Sequence, residues 1–271
     1  MKISKIEKEY LKKIKLYQKY NKYYYDKSDP KVTDSEYDNL KTEIVELENK
    51  YRFLKSNVSP SNSVGFSPSK NFKKVKHRIQ MLSLSNAFNE EDLKNFEKKI
   101  RNFLSLKKNF KIEYSAEPKI DGISASLKYK DGKFVQGLSR GDGKEGEDIT
   151  ENLKTIGDIP KIIKYSDFPK EIDIRGEVYI QNDDFNNLRE KFANPRNAAS
   201  GSLRQKNPSV TEKIPLKFIA YTFGFVDEMN IKIQTDFLKK LKEWGFKINQ
   251  YNRNIIGIEN LIKNHKFLEN E

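Results

Sequence analysis

The sequence EPKIDGISASLKYKDGKFVQGLSRGDG, residues 117–143, holds the clearest structural pattern in this 271-residue chain. Apolar and polar residues alternate over 123–130, which is typical of a β-strand with one buried face. Asp131 and Gly132 form a pair that predicts a hairpin turn into a second strand over 134–139. This stretch therefore predicts an antiparallel sheet at the centre of the fold.

Lys119 stands at the start of the same stretch, between the carboxylates of Glu117 and Asp121. Pro118 cannot donate a hydrogen bond to a sheet, so we expect Lys119 at the end or edge of a strand. The chain has no cysteine and only two histidines. A lysine amine is therefore the remaining strong nucleophile that can form a covalent intermediate. A solvated charged turn is the alternative interpretation.

The flanking sequence predicts further helices and strands around this centre. Two amphipathic helices occupy the first fifty residues, and a Ser-, Asn- and Pro-rich linker follows. A third helix has Asn89 as its candidate cap and an apolar face that we expect to be buried, formed by Leu93, Phe96, Ile100 and Phe103. Further strands are predicted over 171–179 and 216–225, then a helix over 234–243 that ends at Gly245. The fold class is α+β.

The amino-acid composition indicates which kinds of partner, metal and cellular compartment to expect. The net charge of +13 indicates a polyanionic partner such as nucleic acid, although AT-rich coding DNA would also enrich lysine. The lack of cysteine excludes disulfides and thiolate metal sites, so we expect no zinc site, and any metal to be Mg²⁺. No apolar run is long enough for a membrane span, and no signal peptide is evident. We expect a cytoplasmic protein with no membrane contact.

Three further motifs could bind phosphate or sugar. Arg140 is followed by three glycines within six residues, a pattern that lets backbone approach a phosphate, or else forms a flexible loop. Gly176 lies mid-strand beside Glu177, where a glycine often marks close approach by a ligand; a cross-strand ion pair is the alternative for Glu177. Arg196 and Arg204 lie eight residues apart in an Ala/Ser-rich segment, near one face if it is helical.

The order of these motifs is more specific than any one of them. EPKIDG, RGDGKEGEDIT, RGEV and FANPRNAASGSLRQ follow one another as in the adenylation domain of bacterial NAD⁺-dependent DNA ligases, which the chain resembles. The upstream segments YYYDKSDPKVTDSEYDNL and HRIQMLSLSNAF resemble the same family. The resemblance implies a small helical domain and linker over 1–70, which binds nicotinamide mononucleotide (NMN). A nucleotidyltransferase (adenylation) domain of antiparallel sheets with flanking helices would then span 71–271.

The resemblance also implies roles for individual residues. Lys119 would attack the α-phosphorus of NAD⁺ to release NMN and leave lysyl-AMP, while Asp121 would orient the lysine or the Mg²⁺ shell. The remaining roles would be adenine contact by Glu117, ribose contact by Glu177, adenosine-pocket contacts by Ser83 and Leu84, and phosphate contacts to cofactor or nicked DNA by Arg140, Arg196 and Arg204. NMN would be bound by Tyr24, Tyr25, Asp34, Tyr37 and Asp38. Tyr25 lies where some relatives carry histidine, so the resemblance supports its role least.

The resemblance implies nicked double-stranded DNA as the partner of a monomeric enzyme of DNA replication and repair, associated with the nucleoid. Nothing after Trp244 matches the Asp-Gly-Val-Val-x-Lys strand of the family. We therefore expect an adenylation domain that is incomplete at its C-terminus and unable to seal nicks alone. Two alternatives remain: a non-catalytic nucleic-acid-binding remnant, and an ATP-using ligase or capping enzyme. The N-terminal tyrosines and aspartates speak against the second.

Overall fold

The computed structural model describes residues 2–21, 23, 32, 34–55, 59 and 72–269. The helices are α1 (Lys2–Asn21), α2 (Asp34–Lys50), α3 (Glu90–Phe103), α4 (Thr150–Leu153), α5 (Asn182–Phe185), α6 (Pro195–Leu203), α7 (Pro208–Glu212), α8 (Gln234–Glu243) and α9 (Ile258–Leu268). The strands are β1 (Lys74–Lys76), β2 (Glu113–Ala116), β3 (Ile123–Lys130), β4 (Lys133–Ser139), β5 (Glu145–Glu147), β6 (Glu171–Tyr179), β7 (Lys217–Val226) and β8 (Arg253–Ile256). This arrangement confirms the predicted fold class: a helical N-terminal unit followed by antiparallel sheets with flanking helices.

The N-terminal helices α1 and α2 pack against each other around their own hydrophobic core. Its buried residues come from the apolar stripe of each helix and from the turn after α2: Tyr10, Ile14, Tyr17, Leu40, Ile44 and Leu54. The Tyr10 hydroxyl donates to Glu48 Oε1 at 2.8 Å, so a buried carboxylate is held within the apolar contact. This core is separate from that of the larger sheet.

The central sheet has four antiparallel strands in the order β4-β3-β6-β7. The hairpin between β3 and β4 turns at Asp131 and Gly132, whose φ angles of 49° and 70° are both positive. Such angles are characteristic of the two-residue hairpin turns that match strand twist, and they favour an Asp-Gly pair. Two smaller antiparallel sheets pair β1 with β5 and β2 with β8. The predicted hairpin is therefore confirmed.

One face of the central sheet is apolar and carries the main core. It includes Leu127 of β3, Ile174 of β6 and Phe218 of β7, all fully buried, together with residues of α6 and α8. Gly176 lies on this face, where an added Cβ would collide with the Phe218 ring. The glycine therefore accommodates Phe218, and the expectation that it marks a ligand's approach is wrong.

Helix α8 ends as its sequence predicts. Gly245 has a φ of 93°, and its N–H donates to the Lys242 carbonyl at 3.1 Å. The next N–H, of Phe246, donates to the Leu241 carbonyl at 2.9 Å. This pair of bonds satisfies the last carbonyls of the helix and requires a left-handed residue at Gly245.

None of the four residues of the expected buried face of α3 is fully buried: Leu93 and Ile100 are half-buried, and the other two are exposed. The predicted cap is confirmed, since Asn89 Oδ1 accepts from the Asp92 N–H at 2.9 Å. However, Phe96 is 50% exposed and Phe103 is 88% exposed. Helix α9 packs along only part of α3. The periodicity was a true sign of amphipathicity, but it did not indicate which part of the apolar face has a partner. None of the described helices is long and apolar enough to cross a membrane.

Candidate functional site

The opposite face of the central sheet is polar and forms the floor of the candidate site. Side chains alternate along a strand, so Ser124 and Ser126 of β3 share a face with Glu177 and Arg175 of β6. The register places Ser124 opposite Glu177 and Ser126 opposite Arg175. Ser124 Oγ donates to Glu177 Oε2 at 2.8 Å. The floor therefore pairs residues of β3 and β6 whose contact the sequence alone did not predict.

Lys119 lies in the connection between β2 and β3, with its side chain exposed. Gly122 allows this connection to approach β6 closely, because an added Cβ would collide with the Val178 carbonyl oxygen. That Cβ would also lie 3.0 Å from Glu177 Cγ. Gly122 thus brings the loop that carries Lys119 beside the buried Glu177 carboxylate. This loop joins the end of β2 to the start of β3.

Glu117 is linked to β7 through Gln234, a residue that the sequence pattern did not mark as functional. Its Oε1 accepts from Ser115 Oγ at 2.8 Å and from Gln234 Nε2 at 3.0 Å. Gln234, the first residue of α8, also donates to the Tyr221 carbonyl oxygen at 2.7 Å. The start of α8 therefore links the Lys119 loop to β7.

Arg196 reaches the Lys119 loop from α6. Its Nη1 donates to Asp121 Oδ1 at 2.6 Å. Asn194 caps the helix through its side chain, which accepts from the Asn197 N–H at 2.8 Å, and Pro195 occupies the first helical position. The Asp121 side chain is 70% exposed, whereas that of Arg196 is mostly buried. The carboxylate beside the lysine is thus already paired with a cation.

The buried carboxyl of Glu177 interacts with several of the predicted site residues. Burial raises the pKa of its carboxyl to about 7, against the Ser124 hydrogen bond and the positive charges of Arg196, Lys119 and Arg140, which lower it. Three predicted cations therefore lie close enough to act on one buried carboxylate. Their positions in the sequence span residues 119 to 196.

Tyr221 of β7 lines the same floor. Burial, followed by the negative charge of Glu177, raises the pKa of its hydroxyl to about 12, while a hydrogen bond with Ser124 lowers it. The tyrosine therefore stays protonated at neutral pH. The sequence predicts a strand over 216–225, but its pattern gives Tyr221 no functional role.

Arg140 begins a tight loop that its glycines make possible. Gly141 and Gly143 have φ angles of 58° and 87°. Asp142 Oδ1 accepts from the N–H groups of Lys144 and Glu145 at 2.9 and 2.8 Å. An added Cβ at Gly141 would collide with the Glu145 carbonyl oxygen. The glycines thus serve the loop's own turn, and phosphate contact by this loop remains a prediction.

Arg204, at the other end of α6, has a different ion-pair partner from Arg196. Its Nε donates to Glu147 Oε2 at 3.0 Å, and Glu147 is fully buried on β5. The Glu147 N–H in turn donates to Ser139 Oγ at 3.0 Å. The two arginines that the sequence pattern placed together thus form ion pairs at separate places.

The remaining predicted residues lie earlier in the chain than Lys119. Ser83 and Leu84 lie in an exposed segment without helix or strand that follows Met81, whose N–H donates to the Gly143 carbonyl at 2.9 Å. Leu84 is 74% exposed. The segment is connected to the N-terminal unit, because Asn86 Nδ2 donates to Asp38 Oδ2 at 2.6 Å.

Among the predicted NMN contacts, Tyr37 is half-buried and packs within the N-terminal unit. Its ring stacks on Tyr17 with centroids 5.3 Å apart, and its hydroxyl donates to Asn21 Oδ1 at 2.5 Å. Tyr24 and Tyr25 lie outside the described residues, as does the side chain of Asp34, the first residue of α2.

Ser124, Tyr221 and Gln234 were missed for different reasons. Ser124 belongs to the polar half of the alternation over 123–130, so its face could be predicted, although not its partner. The contacts of Gln234 and Tyr221 depend on elements about a hundred residues away from the Lys119 loop. Across the described ranges, no group of three or more His, Asp or Glu side chains could hold a metal ion.

Comparison with known proteins covers almost the whole chain. Residues 69–271 match the family model for the NAD-dependent DNA ligase adenylation domain. Residues 4–65 match the model for the DNA ligase-like, N-terminal NAD⁺-binding domain.

Curated relatives agree. The chain is 69% identical over 264 residues to a DNA ligase of Pelagibacter ubique, covering 97% of this chain and 39% of that protein. It is 47% identical over 240 residues to a DNA ligase of Parvibaculum lavamentivorans, covering 86% of this chain and 34% of that protein. The chain thus spans little more than a third of the length of these relatives. On the matches to both domain models and on these identities, the chain belongs to the NAD-dependent DNA ligase family.

Proposed function

We propose that this chain carries out the first step of an NAD⁺-dependent DNA ligase, its own adenylation. Lys119 Nζ would form a bond to the α-phosphorus of NAD⁺, and the bond from that phosphorus to the bridging oxygen would break. NMN leaves with that oxygen, a lysine proton passes to solvent, and a lysyl-AMP phosphoramidate remains. The observation that carries the proposal is the set of groups around the Lys119 loop. Gly122 brings this loop against the buried Glu177, and Arg196 pairs with Asp121 in the same loop. The positive charges of Lys119, Arg140 and Arg196 all act on Glu177.

The surrounding charges suit this chemistry. Phosphoryl and nucleotidyl transfer depend on positioning and on neutralisation of charge at phosphate oxygens more than on acid–base groups. Arg140 and Arg196 supply positive charge that, like the charge of Lys119, acts on Glu177. Arg196 also holds Asp121, which orients the loop that carries the nucleophile.

Mg²⁺ fits this site only as an ion carried largely by phosphate oxygens. Asp121 is an exposed carboxylate beside the lysine, and the described residues contain no cluster that would cage an ion on their own. Asp121 would share the ion with NAD⁺. When bound, Mg²⁺ supplies further charge neutralisation at the phosphates.

The other contacts are proposals of the same kind. Glu117 would bind the adenine amine, Glu177 the ribose, and Ser83 with Leu84 the adenosine pocket. NMN would be bound by Tyr24, Tyr25, Asp34, Tyr37 and Asp38.

In the longer enzyme, AMP would pass to a 5′-phosphate at a DNA nick, with Arg204 contributing to phosphate binding. That enzyme would act as a cytoplasmic monomer on nucleoid DNA during replication and repair. The net charge of +13 supports a polyanionic partner.

Intact mass spectrometry of the folded chain after incubation with NAD⁺ and Mg²⁺ tests the proposal. We expect a gain of one adenylyl group that Lys119→Ala abolishes and the exposed-lysine control Lys111→Ala retains. ATP in place of NAD⁺ should give no gain. A folded chain that binds DNA but gains no mass would instead indicate the non-catalytic remnant, and a gain with ATP would indicate an ATP-using enzyme.

A further inference from the structure

The geometry points to a positioning role for residues 77–81, the crossing segment, which lies against the polar face of β6. We propose that Arg78 and Arg175 fix the crossing segment, and that the crossing segment in turn sets the backbone of the Arg140 loop. This inference rests on the proposed function, because it assigns Arg140 a cationic role beside Lys119. None of the residues of the crossing segment is among the predicted site residues.

Arg78 fixes one end of the crossing segment to β6. Its Nε donates to Asp173 Oδ2 at 3.0 Å, Nη2 donates to Asp173 Oδ1, and Nη1 donates to Glu171 Oε2 at 2.5 Å. The guanidinium also lies over the Phe225 ring, 3.9 Å from its centroid. The ion pair with Asp173 is bidentate; its carboxylate is buried, whereas the Arg78 guanidinium is partly exposed. Such a fork-to-carboxylate contact fixes orientation as well as distance.

Arg175 fixes the middle of the crossing segment through backbone carbonyls. Its Nη2 donates to the Ile79 carbonyl oxygen, and Nη1 donates to that of Gln80 at 3.3 Å. Gly224 of β7 makes room for it, because an added Cβ would lie 2.7 Å from Nη2. Arg175 is half-buried, and partial burial of a guanidinium costs free energy unless hydrogen bonds compensate for the lost water. Its observed contacts indicate that it holds the crossing segment in place.

The crossing segment then holds the Arg140 loop by three contacts. The His77 N–H donates to the Lys144 carbonyl at 2.9 Å, and the Met81 N–H donates to that of Gly143 at 2.9 Å. His77 Nε2 lies 3.1 Å from the Arg140 carbonyl oxygen. A carbonyl oxygen can only accept a hydrogen bond, so Nε2 is the donor in this contact. Burial lowers the pKa of His77 below its usual 6.5, which favours the neutral imidazole at pH 7. Three carbonyls of the loop therefore accept hydrogen bonds from the crossing segment.

These contacts make His77, Arg78 and Arg175 positioning residues rather than catalytic ones. A loop held only by its own glycine turns would leave the Arg140 side chain poorly aimed, since glycine gives backbone freedom. Misplacement of a charge-neutralising group by about 1 Å can lower a rate by about a hundredfold. We therefore expect the crossing segment to affect the rate of lysyl-AMP formation more than the affinity for NAD⁺.

The first test removes one loop contact without touching the ion pair. In His77→Ala, lysyl-AMP formation at saturating NAD⁺ should fall about tenfold, with KM for NAD⁺ changed by less than about twofold. His77→Gln, whose amide nitrogen can replace Nε2 as the donor to Arg140, should restore most of the rate. Equal rates in wild type and His77→Ala would overturn the inference, as would failure of glutamine to restore the rate in a folded variant.

The second test does not depend on activity. The double variant Arg78→Gln with Asp173→Asn removes the ion pair between these two residues and, because it removes one charge of each sign, leaves the net charge of the protein unchanged. Hydrogen–deuterium exchange at the His77 and Met81 amides should become about tenfold faster, while that of β7 stays unchanged. Lys130→Gln is the matched control, since Lys130 lies 3.7 Å from the same Glu171 but outside the crossing segment.

Unchanged exchange in the double variant would also overturn the inference. A wild-type chain that forms no lysyl-AMP would overturn the proposed function instead, and the exchange measurement would still decide whether Arg78 fixes the crossing segment. The two proposals can therefore fail separately.

Discussion

The two faces of β6 differ in chemistry although both are largely buried. One face carries Ile172, Ile174 and Val178, which are fully buried in the main core. The other carries Asp173 and Glu177, buried as well. Apolar side chains need only packing to be stable there, whereas each buried charge needs a partner or a shifted pKa. A single strand thus serves both as a structural element and as the floor of the site.

The polar face meets this requirement differently at its two ends. Asp173 is paired with Arg78, and the pKa of the neighbouring Glu171 is lowered first by its hydrogen bond from Arg78. Glu177, at the other end, is desolvated, and its pKa is raised to about 7. A perturbed carboxyl beside a candidate nucleophile is typical of a functional site rather than of a stabilising one. Three substitutions test this difference between the faces.

The largest expected effect is on the apolar face. Ile174→Ala should lower the free energy of unfolding by about 3 kcal/mol, since it leaves a cavity in a close-packed core. Chemical denaturation measures the change. Ile162→Ala is the matched control: this isoleucine is 59% exposed, and its truncation should change stability by less than about 0.5 kcal/mol. Similar losses from both variants would contradict the contrast between core and surface.

The second prediction concerns the polar face, where a substitution should raise the free energy of unfolding instead of lowering it. Because folding raises the Glu177 pKa from 4.5 to about 7, this group contributes stability that is complete below pH 4.5 and is lost as pH rises through 7. Glu177→Gln keeps a neutral side chain at every pH. It should be more stable than wild type by about 2 kcal/mol at pH 8 and nearly equal to it at pH 4.5. Denaturation at the two pH values measures this.

Glu171→Gln provides the control of opposite sign. The Glu171 pKa is lowered by the Arg78 hydrogen bond, so its contribution is present above pH 4.5 and is lost as pH falls further. This variant should be less stable than wild type at pH 8. A gain in stability at pH 8 from Glu171→Gln, or a loss from Glu177→Gln, would show that the two ends of the face do not differ as described.

The smallest effect concerns the hydroxyl on the floor of the site. Ser124→Ala removes a hydrogen bond to the Glu177 carboxylate and should cost about 1 kcal/mol at pH 8, with less at pH 4.5 where the carboxyl is neutral. Thermal unfolding at both pH values detects the difference. Ser126→Ala, on the same face but opposite Arg175, should show no such pH dependence. Equal pH dependence in the two variants would rule out the assigned contact.

Local patterns in the sequence predicted much of the fold. The alternation over 123–130, the Asp131-Gly132 turn and the helix over 234–243 were all confirmed, because each depends on neighbouring residues. The apolar face of α3 was predicted less well, because periodicity does not identify a packing partner. The motif order that resembles DNA ligases was confirmed by the family matches.

The sequence by itself determined the strands, the hairpin, the family and the nucleophile candidate, since these depend on short-range pattern and motif order. Only the tertiary structure decided which charges meet. The Ser124–Glu177, Arg78–Asp173 and Gln234–Glu117 contacts join residues that are 53, 95 and 117 positions apart. Strand register and helix docking bring such residues together, and both depend on packing of the whole domain. The pKa of Glu177 follows from that packing, because burial is a property of the folded chain.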